Sequence, residues 1–231
     1  PGHPKPYSEY TETVSGGVHN AWTEGYYVFL TDDATGSLRV IDIHDPKQPK
    51  EVARWQVARE TGRALHDVIV QDGLAYLSYG WDGLVVLDIG AGIRGGSPTD
   101  PKLVMQYKSF EGQFWTHTAW RYKNYVIVGD ELFPPGFNPD TPTLAYGYFH
   151  ILDVSDWDHP KEVAKYEIPA GGSHNVWVDG DILYVGYYQA GLRALDLSGE
   201  LRGDLVAEGR EIAAFLPMDP KGKIANFPFV W

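Results

Sequence analysis

The strongest constraint on this chain is that it repeats itself. "GGVHNAW" (residues 16–22) returns as "GGSHNVW" (171–177), with "RALHDVI" (63–69) and "FWTHTAW" (114–120) as divergent copies between them. Four of the eight histidines occupy this one setting, at His19, His66, His117 and His174, so a unit recurs roughly every fifty residues. Each unit repeats the same order of short segments. After the histidine comes a brief strand ("NAWTEG", "DVIVQDG", "TAWRYKN", "NVWVDGD"), then a second ("YYVFLTD", "LAYLSYG", "YVIVGDE", "ILYVGYY"). A third follows ("SLRVIDI", "LVVLDI", "YFHILDV", "LRALDL"), and after a turn, proline-marked in three units, a fourth ("KEVARWQV", "KLVMQYK", "KEVAKYEI" and the looser "EIAAFLP").

Short runs rich in Val, Ile, Tyr and Trp, punctuated at regular intervals by Gly, Pro and Asp, predict antiparallel sheet. Four strands per repeat of this length is the dimension of a β-propeller blade. The expected fold class is therefore all-β: a β-propeller with four four-stranded blades visible as part of a larger ring, and residues 1–231 as a single propeller domain or fragment. No segment sustains a helical apolar period; the nearest, "GELRGDLVAEGREIAA" (199–214), is interrupted by glycines. "YSEYTETVS" (7–15) reads as the outer strand of a preceding blade and "IANFPFVW" (224–231) as the start of a following one. Further blades, or a protein partner, are expected to cover the edges.

The third-strand motifs "VIDI", "VLDI", "ILDV" and "ALDL", each followed by a turn, resemble the bacterial LVIVD-repeat proteins, and the resemblance runs over nearly the whole chain. It implies a secreted or envelope β-propeller, commonly longer than this chain, and it carries no well-established activity. The expected localisation is extracytoplasmic, periplasmic or secreted.

Composition narrows the partners. A net charge of −12, with basic residues scattered singly, disfavours nucleic acid. The chain has no cysteine, which excludes disulfides and thiolate metal sites, and no apolar run long enough to span a bilayer, although association with a membrane-protein assembly stays open. Because residue 1 is Pro1, the chain is expected to be a processed product or a fragment.

Blade symmetry would place His19, His66, His117 and His174 at the mouth of the central channel. The second-to-third-strand turns would bring Asp32, Asp33, Trp81, Asp82, Asp130, Glu131, Tyr187, Tyr188 and Gln189 to the same face, with Asp33, Asp82, Asp130, Glu131 and Tyr187 as the leading candidates. Two readings follow. Imidazole suits Fe, Cu, Zn or Ni, and histidine rings on a propeller axis also resemble carotenoid-cleaving oxygenases and a copper-dependent thiol oxidase, an analogy of architecture. Alternatively each histidine staples its own blade, as the glycine–histidine of WD40 repeats does, because a residue repeated in every blade solves a problem that every blade has. The sequence favours staples, the four rings standing apart, and no cofactor.

Trp22, Trp120 and Trp177 are expected to pack between blades. Asp42, Asp88, Asp153 and Asp196 of the third-strand motifs are expected to accept hydrogen bonds from the turns that follow. "GAGIRG" (90–95) matches the dinucleotide fingerprint in letters, but "GSPTDP" follows it and cannot begin the helix that a pyrophosphate site needs. No nucleophile elbow, Walker loop or H-E-x-x-H motif occurs. The insertion "LFPPGFNPDTPTLAYG" (132–147) interrupts blade three and is expected to cover the histidine face. These features predict a noncatalytic binding or scaffold module of the bacterial envelope, an accessory subunit of a larger assembly; the alternative is a metal-dependent oxidoreductase.

Overall fold

In the computed structural model, residues 5–135, 145–169 and 171–217 are described. Blade one is built from β1 (Val18–Glu24), β2 (Tyr27–Asp32), β3 (Ser37–Asp42) and β4 (Lys50–Trp55). Blade two comprises β5 (Asp67–Gln71), β6 (Leu74–Ser78), β7 (Leu84–Asp88) and β8 (Lys102–Tyr107). Blade three has β9 (Thr116–Tyr122), β10 (Tyr125–Asp130), β11 (Phe149–Asp153) and β12 (Lys161–Tyr166). Blade four runs β13 (Val176–Asp179), β14 (Ile182–Gly186), β15 (Leu192–Asp196), then β16 (Gly203–Asp204) and β17 (Glu211–Phe215). The first two sheets follow chain order throughout; β16 instead joins the edge of the blade-three sheet, so that β17 pairs with β15 in blade four. All four third-strand motifs are third strands, and the described residues contain no α-helix.

The stretch 199–214, whose glycines argue against a helix, contains no α-helix. It follows β15, adds β16 in parallel to the edge of β12 (Ala164 opposite Gly203), and returns as β17 beside β15, the expected fourth strand. A correction concerns residues 7–15, read as an outer strand, which form no strand. They lie instead against blade one, where the Tyr10 hydroxyl pairs with Thr13 at 2.8 Å and Thr13 donates to the Glu51 carboxylate. Residues 224–231, read as a further strand, lie outside the described residues, as does most of the blade-three insertion.

Two compact units emerge. The first takes the described residues to Tyr79 with Val85–Gln106; the second takes Gly80–Leu84 and the described residues from Tyr107 onward. In the first, Phe29, Leu38, Val40, Val68, Leu77, Tyr79, Val85 and Leu87 form a continuous core, with Trp22 packed on its margin. The run "LVVLD" of β7 is buried at every position, as expected for a strand covered on both faces. In the second unit Ile127, Phe149, Ile151, Tyr166 and Leu195 are fully enclosed. Each such side chain contributes roughly 1.5–3 kcal/mol.

The turn after each third strand is held as its sequence predicts. Asp42, Asp153 and Asp196 accept the N–H of His44, Ser155 and Ser198 at 2.8, 2.8 and 2.7 Å. In blade two the glycine-rich "GAGIRG" loop wraps the motif's own carboxylate. Asp88 accepts the N–H groups of Gly90, Gly92 and Arg94 at 2.9, 3.3 and 2.6 Å. Burial works against its charge, but these donors win and lower its pKa to about 2. The loop that matches a phosphate-binding fingerprint is thus occupied by an internal anion.

Candidate functional site

The repeated histidines sit at or just before the start of each first strand, but they do not stand apart. In the first unit the rings of His19 and His66 lie 3.9 Å apart. Beside them the Asn20 amide donates to Asp67, and Thr31 accepts the N–H groups of His19 and Asn20 at 3.1 and 2.9 Å. In the second unit His117 and His174 lie 4.2 Å apart, centre to centre. Trp120 and Trp177, three residues further along, also meet, at 4.8 Å. Within each unit, equivalent positions of two successive first strands meet. This corrects the expectation of four separate rings.

Of the carboxylates at the second-to-third-strand turns, Glu131 joins the histidines. Its oxygens lie 3.7 Å from His117 Nε2 and 3.8 Å from His174 Nε2. These distances exceed a hydrogen bond and exceed slightly the spacing of two donors on one ion. The Tyr188 hydroxyl donates to Glu131. Tyr188 reaches it from a left-handed backbone conformation, φ 36°, unusual for a bulky residue. Burial pushes the Glu131 pKa up, opposed by the Tyr188 hydrogen bond.

The other candidates are placed differently. Asp33 lies exposed in its turn, its N–H bonded to the Gly17 carbonyl at 3.1 Å. Asp82 is buried and pairs with Lys108 Nζ at 2.9 Å. Tyr187 is fully enclosed, its hydroxyl accepting from the Ile168 N–H at 3.1 Å and lying 3.3 Å from the Gly147 and Tyr166 carbonyls. Asp130 points into its own blade, where His150 Nε2 meets it at 2.7 Å and His150 Nδ1 meets Glu162 at 2.6 Å. Burial opposes charge on His150, but Asp130 and Glu162 outweigh it and raise its pKa to about 9. His150 is therefore an imidazolium donating from both nitrogens. It staples blade three from a position outside the repeated histidines. Sequence reading missed it because its partner acid lies a strand away; the signal was a polar letter inside "FHILD".

Beside Glu131 the second unit opens into a pocket of about 410 Å³, walled by Trp81, Trp115, Phe133 and Tyr146, with Gln113 and Leu132 completing it. Glycine at position 80 makes this possible. Its φ is +51°, and a side chain there would drive Cβ to 2.7 Å from the Trp115 indole nitrogen. Gly80 and Thr116 exchange backbone hydrogen bonds at 3.0 and 3.1 Å, fixing Trp81 opposite Trp115. Phe133 stacks edge-on against Tyr188 at 5.8 Å, and Leu132 and Tyr146 pair their backbones at 2.9 Å, closing the base of the insertion. Trp81 and Tyr146 remain 53% and 38% exposed. Of this wall the sequence anticipated Trp81 and Glu131 by name and Leu132, Phe133 and Tyr146 as parts of the insertion over that face, but not Gln113 or Trp115.

The LVIVD repeat model matches residues 15–57, 62–109 and 170–199, more than half of the chain. The chain belongs to the LVIVD-repeat family. Blade three, with Glu131, His150 and the insertion, falls between the matched segments. No curated protein matches this LVIVD-repeat chain. Among solved structures it is similar to the computationally designed Ika8 protein (TM-score 0.56, 12% identity, covering 92% of this chain and 58% of Ika8). It is also similar to the designed Ika4 protein (TM-score 0.56, 10% identity, 85% of this chain and 100% of Ika4). A third likeness is to Sqt1 of Chaetomium thermophilum, bound to the N-terminus of ribosomal protein L10 (TM-score 0.52, 16% identity, 87% of this chain and 50% of Sqt1). At these identities the likenesses bear on fold alone. They support a repeat β-propeller module, of which the chain spans little more than half the length of Ika8.

Proposed function

We propose that this chain is a noncatalytic β-propeller binding module that serves outside the cytoplasm, in the bacterial envelope, as an accessory or scaffold subunit of a larger, membrane-associated assembly. The observation that carries the reading is the pocket beside Glu131: four aromatic walls, a carboxylate and an amide, the make-up of a recognition site. All of its lining except Trp81 comes from residues 113–146, between the family-matched segments, where a repeat protein departs from its own rule. Other buried polar groups are committed to structure: Asp130, His150 and Glu162 to one another, and Asp88 to its turn. Val18 on β1 and Trp177 on β13 are 43% and 44% exposed, room that further blades or a protein partner would cover. Sqt1 offers a precedent of similar fold for holding a partner's terminus.

A second reading is favoured by one observation. His117 and His174 both turn Nε2 toward Glu131, and imidazole with carboxylate suits Fe, Cu or Zn. Here the chain would be a metal-dependent oxidoreductase, with the His19–His66 pair of the first unit as further ligand candidates. Metal analysis of the purified full-length gene product separates the two. The binding-module reading expects no stoichiometric metal. Stoichiometric Fe, Cu or Zn that disappears in His117→Ala overturns it.

A further inference from the structure

We infer that the pocket walled by Trp81, Trp115, Phe133 and Tyr146 binds a small molecule carrying a quaternary ammonium group. The inference rests on reading this face as a binding site and names the ligand class. Three observations combine. First, the lining contains four aromatic side chains from three separate stretches of chain, and among the described residues the only charged one in it is the acid Glu131. Second, the walls are held open: Gly80 leaves room for the Trp115 indole, and the paired backbones of Leu132 and Tyr146 fix the opposite side. Third, Trp81 and Tyr146 keep substantial surface exposed. Large aromatic side chains left in water around one concavity mark a recognition surface.

The chemistry discriminates among ligands. An anion would meet the Glu131 carboxylate and the negative faces of four rings. A primary ammonium needs several hydrogen-bond acceptors, and the pocket offers the Gln113 carbonyl and a carboxylate that already accepts from Tyr188. A quaternary ammonium needs none: its charge is spread over methyl groups, which suit ring faces, and the buried carboxylate supplies the long-range attraction. The volume of about 410 Å³ falls within the range of small-molecule sites, roughly 300–1,000 Å³, and leaves space beyond a trimethylammonium head for the rest of the molecule.

The test titrates choline into the full chain, with 3,3-dimethylbutan-1-ol, its neutral isostere, as the control. Binding is read by calorimetry and by the fluorescence of Trp81 and Trp115. Choline is expected to bind at least about tenfold tighter than the alcohol. Trp81→Ala, which removes an exposed ring and leaves the core intact, should weaken choline about tenfold. Glu131→Gln should weaken choline while leaving the alcohol unchanged. Equal affinity for choline and the alcohol overturns the inference while the pocket stays a binding site. Failure of choline to bind at millimolar concentration, or unchanged affinity in both Trp81→Ala and Tyr146→Ala, overturns it as well. Neither result bears on metal content, so the two proposals fail separately.

Discussion

In blade one the third strand sends Arg39 between Asp32, at the end of β2, and Glu51, at the start of β4, with contacts of 2.5 and 3.2 Å. In blade three the equivalent residue is His150, between Asp130 and Glu162 at 2.7 and 2.6 Å. Blade four keeps Arg193 against Glu211 at 3.1 Å but has Tyr187 where the others have Asp. Blade two abandons the device, with Tyr79, Val85 and Leu103 at the three positions. In blades one, three and four the ladder between the third and outer strands shifts register next to the cation, which brings the outer-strand Glu onto its face. The comparison shows that one buried position accepts a fixed cation, a titratable cation or a methyl-bearing side chain, provided that its neighbours change with it. A buried charge cannot be exchanged alone.

The largest expected effect comes from breaking that rule. Arg39→Leu leaves Asp32 fully buried without its cation and should destabilise the first unit by about 3–5 kcal/mol in urea denaturation. Adding Asp32→Asn and Glu51→Leu, which moves blade one toward the composition of blade two, should recover most of the loss. A triple variant no better than the single one would show that the charges contribute more than their mutual pairing.

Next comes the difference between fixed and titratable cations. Folded His150 holds its proton up to about pH 9, whereas an unfolded histidine releases it near about 6.5. Its stabilisation is thus complete below about pH 6.5 and is lost as pH rises through about 9, a change of up to about 3 kcal/mol. Denaturation midpoints across this window should fall for the second unit. The His150→Arg variant, which copies blades one and four, should lose that slope. If the slope survives the substitution, another group causes it.

The smallest effects concern the turns. Asp88→Ala strips three backbone donors of their acceptor and should cost about 1–3 kcal/mol. Asp42→Ala, which deprives a single backbone donor of its acceptor, should cost less than Asp88→Ala. In acid the Asp88 contribution, complete above about pH 4, should be lost as pH falls through about 2. Equal losses in the two variants would mean that the glycine loop gains nothing from wrapping its carboxylate.

Much of this architecture was legible from local patterns. The four third-strand motifs, the strand order and the turn-capping role of Asp42, Asp88, Asp153 and Asp196 follow from alternation and turn chemistry, which act over a few residues. The "GAGIRG" loop could be refused a nucleotide for the same reason: the residues after it cannot start a helix. By contrast, the irregular path of 7–15 and the detour through β16 depend on which edge each segment meets, and no periodicity encodes that.

The sequence by itself determined that the chain is a series of β-blades and that His19, His66, His117 and His174 occupy one structural position, because a repeat must reuse its local geometry. Only the tertiary structure decided what those positions do. Within each unit two of the histidines meet because their first strands lie side by side. His150, unrepeated, became a staple of blade three because an acid on each flanking strand stabilises its charge. Trp81, Trp115, Phe133 and Tyr146 became one pocket because a glycine and a two-residue backbone pairing bring three distant stretches together. Contacts between residues far apart in the chain are set by packing, and a sequence read along its length carries no record of which strangers will share a wall.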